Sequence, residues 1–220
     1  MNKSSRNSIR SSLSAAGRQK GFLSSRQAFV LLGLLFMAPA FVALVMHYST
    51  AEGWRPGGTT NQGNLVHPAR PLTFPAEMMY GAESLNGFLQ GKWTLLYIGA
   101  ADCADACRSN LYKMRQVRLA QNENMNRVQR LYLVRADTIP AALAGFLEAE
   151  HPKMAVVPLS AQQAEQLAPY FLVDDVPMQA AERVYIIDPL GNLMMYYLPV
   201  AEPGGMLKDL KKLLKYSKIG

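Results

Sequence analysis

No acidic residue precedes Glu52, although six basic ones do: Lys3, Arg6, Arg10, Arg18, Lys20 and Arg26. The chain has 23 basic residues, so 17 remain against 16 acidic ones once that stretch is set aside. The net charge of +7 therefore belongs to an N-terminal tail, and no nucleic-acid partner is expected of the rest. Also missing are a Ser nucleophile elbow, an H-E-x-x-H pair and a phosphate-cradling glycine loop, which leaves a general hydrolase without support. Cysteine is nearly absent, with two in 220 residues, and no histidine follows His151.

Charge is lacking altogether from AFVLLGLLFMAPAFVALVM, residues 28–46. As a helix this run just crosses a hydrocarbon core of about 30 Å, and Pro39 is tolerable in such a helix. Cations before the span and none just after it place the N-terminus in the cytoplasm. FVALVM continues past Ala38-Pro39-Ala40, which favours an uncleaved anchor over a cleaved signal peptide. The expected organisation is a basic tail at 1–26, a transmembrane anchor at 27–48, a Gly/Pro-rich linker at 49–71 and an exported domain at 72–220. The expected site is the periplasmic side of a bacterial inner membrane. The alternative is the mitochondrial inner membrane facing the intermembrane space, since a Ser/Arg tail without acids also fits a presequence. Both compartments allow disulfides.

Within the domain, WTLLYIGA reads as a buried strand, followed by both cysteines and the helical LYKMRQVRLAQ. RLYLV and MAVVPL are strand-like, and PAALAGFLEAEH is a helix with Pro at its first turn. Ser160 and Gln163 stand in capping-box positions ahead of a further helix. RVYIIDPLGNLMMYYL forms two strands around a turn, and a closing helix carries Leu207, Leu210 and Leu214 on one face. The order β-α-β-α-β-α-β-β-α specifies an α/β fold: a thioredoxin-like mixed sheet flanked by helices, with one N-terminal transmembrane helix.

Cys103 and Cys107 lie where the first of these strands meets its helix. A helix N-terminus lowers a thiol pKa; Arg108 adds to this, while Asp102 and Asp105 oppose it. On one helical face the Cβ atoms of residues i and i+4 lie about 5–6 Å apart, so a disulfide needs a small adjustment of the first turn. The spacing permits a reversible disulfide, a soft-ion site for Cu(I), a structural staple or idle thiols. A peroxidatic site wants Thr three residues before its Cys, and Ala100 stands there.

The run GKWTLLYIGAADCADACRSNLYKMRQV, with RVQRLYLVRADTIPAALAGFLEAEHPKM and VYIIDPLGNL, resembles the Sco/SenC family of membrane-anchored, thioredoxin-fold cytochrome c oxidase assembly proteins. The resemblance covers roughly residues 85–214. It implies that Cys103 and Cys107 are the two thiols that bind copper or exchange disulfides with the CuA site of oxidase subunit II, or act with other assembly factors. The family's third ligand, a histidine shortly before the VYIID strand, has no counterpart, because PMQAAER stands there. Met178 in that segment offers a thioether but is expected to pack in the core. His151 is expected to be a helix-end residue, and His67 and His47 are incidental. Catalytic Cys103 and Cys107 handling transient Cu(I) are set against a non-catalytic scaffold whose cysteines form a structural disulfide only.

Overall fold

The computed structural model describes residues 24–49 and 60–217. Two compact units divide the chain, residues 1–58 and 59–220. In the first, helix α1 (Ser25–Ser49) contains Pro39 and is long and apolar enough over Arg26–Val45 to cross a membrane. Ser24 and Gln27 cap it reciprocally, each side-chain oxygen accepting from the other's backbone N–H. Residues 1–23 of the expected basic tail lie outside the described residues.

The second unit contains a six-stranded mixed sheet of order β1-β8-β7-β4-β5-β6. β1 is Asn64–Pro71, β4 Trp93–Ala100, β5 Val128–Arg135, β6 Ala155–Pro158, β7 Val184–Ile187 and β8 Asn192–Tyr197. β4, β5 and β6 run parallel, in the register Leu96↔Leu131↔Ala155. β7 joins β4 antiparallel, and β8 and β1 extend that antiparallel side. A separate two-residue ladder pairs β2 (Met79–Tyr80) with β3 (Glu83–Ser84). The helices are α2 (Leu85–Phe88), α3 (Asp105–Leu119), α4 (Ala141–Glu150), α5 (Ala161–Phe171), α6 (Met178–Ala181) and α7 (Pro203–Tyr216).

Strand alternation sorts the apolar residues into two cores. Leu96, Ile98, Leu131, Leu133, Tyr185 and Ile187 face one side and pack with α5 through Leu167 and Phe171. Leu95, Tyr97, Tyr132, Val134 and Ile186 face the other and pack with α3, α4 and α7 through Leu111, Met114, Leu147 and Leu210. β4 is covered on both faces, which is why its sequence is continuously apolar. The Ser160–Gln163 capping box starts α5 as its sequence requires.

One boundary is corrected. The segment expected as linker, 49–71, contains β1, which pairs antiparallel with β8 from Asn64↔Tyr196 to Pro71↔Asn192. Its composition hides it: Pro68 and Pro71 cannot donate to a ladder, and of its side chains only Val66 is buried. An edge position and an irregularity between Leu65 and Arg70 accommodate both prolines. Buried Asp209 on α7 fastens the approach to this strand, accepting at Oδ2 from Gln62 N, Gly63 N and the Tyr197 hydroxyl at 2.7, 2.8 and 2.8 Å. Gly63 is required there, since a Cβ would meet the Tyr197 ring at 2.6 Å.

Candidate functional site

β4 delivers the chain to the cysteines at its C-terminal end. Gly99 lets the backbone pass the Tyr97 ring, which a Cβ would meet at 2.5 Å. Cys103 then adopts a left-handed conformation, φ 40°, outside the helix that Ala104 caps. Cys107 occupies the first turn of α3. This departs from two thiols stacked on one helical face, and it brings the Cα atoms to 5.0 Å, within disulfide range. The sulfurs are bonded, at 1.97 Å.

Both cysteines are buried, at 2% and 4% exposure, yet they are not equivalent. A cleft of about 390 Å³ opens against Cys103, Asp102, Arg108, Leu143 and Phe146, whereas Cys107 does not line it. Arg108 is held at this cleft by its Nε donating to the Cys103 carbonyl at 3.2 Å and by its guanidinium lying 4.8 Å from the Phe146 ring centre. On the inner side, Cys107 Sγ lies 3.4 Å from the Tyr132 hydroxyl oxygen. That hydroxyl donates to the Ala100 carbonyl at 2.7 Å. Burial pushes the Tyr132 phenol well above its ordinary range, and burial followed by the Glu182 charge takes Tyr97 up to about 12. A separate cavity of about 410 Å³ opens beside Trp93 and Leu213, at the opposite end of β4.

His151 does not join the cysteines. His151 caps α4, with its ring 5.3 Å from Phe146, and its Nδ1 has no hydrogen-bond partner. Burial, assisted by the Arg130 and Arg115 charges, pushes its pKa from 6.5 down to about 4. The neutral ring is the one the fold accepts. As pH falls from about 6.5 to 4 the unfolded chain takes up the proton first, so stability is lost across that window and levels off below it. Urea melts should show His151 responsible for about 2–3 kcal/mol of acid destabilisation, and His151→Gln should lack that component of the slope.

His67 lies on edge strand β1, and His47 lies in α1. Met178 opens α6 and packs in the core on the sheet face opposite the cysteines, so it is no third sulfur ligand. Arg183 closes the PMQAAER segment. It is buried, with Nη1 donating to the Val173 carbonyl at 2.9 Å, Nη2 3.6 Å from Asp174 and the guanidinium 4.5 Å from the Tyr196 ring centre. Among the described residues, no three of His, Cys, Asp and Glu gather as a metal site. The donor set at the site is therefore two sulfurs, which as thiolates suit Cu(I) and serve Cu(II) poorly. In the sequence Tyr132 is indistinguishable from core, because the middle of RLYLV reads as a buried strand.

The family model described as transmembrane-like, thioredoxin-like, C-terminal domain matches residues 93–217. The chain is 28% identical over 123 residues to the mitochondrial SCO2 homolog of Bos taurus, covering 49% of this chain and 46% of that protein. It is 26% identical over 137 residues to an SCO2-like protein of Rickettsia conorii, covering 56% and 66% respectively. The chain thus spans about half to two thirds of the length of these relatives. Yeast Sco1, solved with copper bound, shares the fold at a TM-score of 0.56 and 20% identity, covering 68% of this chain and 91% of that one.

Proposed function

The chain belongs to the transmembrane-like, thioredoxin-like C-terminal domain family and is Sco/SenC-like, and from that premise we propose that it is a membrane-anchored factor for cytochrome c oxidase assembly, working on the CuA site of subunit II by thiol–disulfide exchange or by transient Cu(I) delivery. The observation that carries this reading is the disulfide at the strand–helix junction, with one of its residues, Cys103, lining a cleft. A partner thiolate entering the cleft meets Cys103, and Cys107 is the sulfur released. In the reduced state the two thiolates hold Cu(I) as cargo, and with no third His, Cys, Asp or Glu gathered beside them among the described residues, passing the ion on is favoured over storing it. Helix α1 is the anchor in this reading, with the tail cytoplasmic and the domain periplasmic, or facing the intermembrane space in a mitochondrial setting.

A second reading has support in the burial of both sulfurs: a non-catalytic scaffold stapled by its disulfide. The midpoint potential separates the two. Exchange requires a value above about −300 mV, and a lower one marks a structural bridge. The reduced chain should also take Cu(I) from a competing chelator. A chain with a low potential and no Cu(I) uptake would leave only the scaffold.

A further inference from the structure

Cys107 poses a difficulty for exchange at this site. Its sulfur leaves when Cys103 is attacked, yet the residue is buried at 4% exposure, where water gives a thiolate little stabilisation. The polar group placed against it is the Tyr132 hydroxyl, 3.4 Å from Sγ and fixed by its bond to the Ala100 carbonyl. A Phe would fill the same place in the apolar strand β5, with the same ring contact to Tyr97 at 5.5 Å between centroids. The packing accounts for the ring and the Ala100 carbonyl for one bond of the hydroxyl, and the same oxygen also lies against Cys107 Sγ.

Resting on the exchange reading, we infer that Tyr132 is a catalytic residue, whose O–H donates to Cys107 Sγ as the disulfide opens. A partner thiolate bonds to Cys103 Sγ, the Cys103–Cys107 bond breaks, and its electron pair passes to Cys107 Sγ. The Tyr132 hydroxyl turns from the Ala100 carbonyl to that sulfur, and its proton stays on the phenol oxygen. The carbonyl keeps the Cys103 N–H, which donates to it at 3.3 Å. The partner's second thiol, as thiolate, then attacks its own sulfur in the mixed disulfide and displaces Cys103 as thiolate. The partner dithiol loses two electrons and this disulfide gains them. Burial keeps the phenol protonated, so it acts as a donor and not as a base.

The test uses the full chain in detergent, equilibrated with oxidised and reduced dithiothreitol. A hydrogen bond to a charged group contributes about 1.5–3 kcal/mol, a factor of about ten or more. At about pH 9–10, where thiols ionise, Tyr132→Phe should lower the equilibrium constant for reduction about tenfold, a potential about 30 mV more negative. The difference should shrink toward about pH 6, where the reduced thiol is protonated. Tyr97→Phe, which removes a hydroxyl from the same core, should match the parent chain. Equality of Tyr132→Phe and parent at every pH overturns the inference, as does an equal shift in Tyr97→Phe. Tyr132→Met takes the place of the Phe variant, with the same outcomes, if that chain does not melt cooperatively. A parent potential below about −300 mV would end the exchange reading by itself, while the difference between variants would still report on the hydroxyl.

Discussion

If the cysteines exchange disulfides as proposed, Cys103→Ser should bring that exchange down to the uncatalysed background, while Cys107→Ser should trap the partner. The asymmetry follows from the cleft. Cys103 lines it and Cys107 does not, so a lone Cys103 forms a mixed disulfide with no internal thiol to release it. A lone Cys107 has no such opening, because it is buried and does not line the cleft. Non-reducing electrophoresis of the two variants should show adducts with Cys107→Ser and none with Cys103→Ser. Folding is affected much less. The disulfide closes a loop with a sequence separation of 4, so its loss costs about 2 kcal/mol on chain-entropy grounds. In cells, the copper content of oxidase subunit II should drop in the double Ser variant. Normal copper there, with a chain that is merely less stable, would instead identify the disulfide as a staple.

The largest stability loss is expected far from the cysteines, at Asp209→Ala. The carboxylate is buried at 3% exposure and its Oδ2 is the acceptor for two backbone N–H groups and the Tyr197 hydroxyl. Removing it leaves all three donors without that acceptor, at a cost of about 3–5 kcal/mol, against a typical total of about 5–15. Thermal melts should fall by about 10 °C, with loosening of the approach to β1. Asp209→Asn keeps an acceptor oxygen and should cost about 1–2 kcal/mol. A melt unchanged by Asp209→Ala would mean that β1 holds its place through its ladder with β8 alone.

The parts of this structure that could be read in the sequence are those where one local signal decides the outcome. WTLLYIGA is apolar at every strand position because both of its faces are covered, and the cysteines follow it directly. The Ser160–Gln163 box and the Asp188–Gly191 turn likewise encode their elements within a few residues. The parts that could not be read depend on distant partners. β1 resembles a linker until β8 pairs with it. Asp209 resembles one more charge on an amphipathic helix until Gln62 and Gly63 fold back onto it. Tyr132 is one aromatic residue in a strand, and only the packing of α3 over β5 sets its oxygen beside a sulfur. The cysteine pair announced itself, whereas the difference between its two members lies in tertiary structure.

Arg183 shapes what this chain could become. It stands just ahead of β7, near where the Sco/SenC resemblance would have an imidazole, and its guanidinium is walled in by the Val173 carbonyl and the Tyr196 ring. Grafting a nitrogen donor into that segment would install it beside a resident cation, which opposes the arrival of another. Evicting the cation first would leave the Val173 carbonyl without its donor and left-handed Asp174 without this ion partner. Engineering a nitrogen ligand into this segment therefore passes through a less stable intermediate, and redesigning the turn must come before adding the ligand.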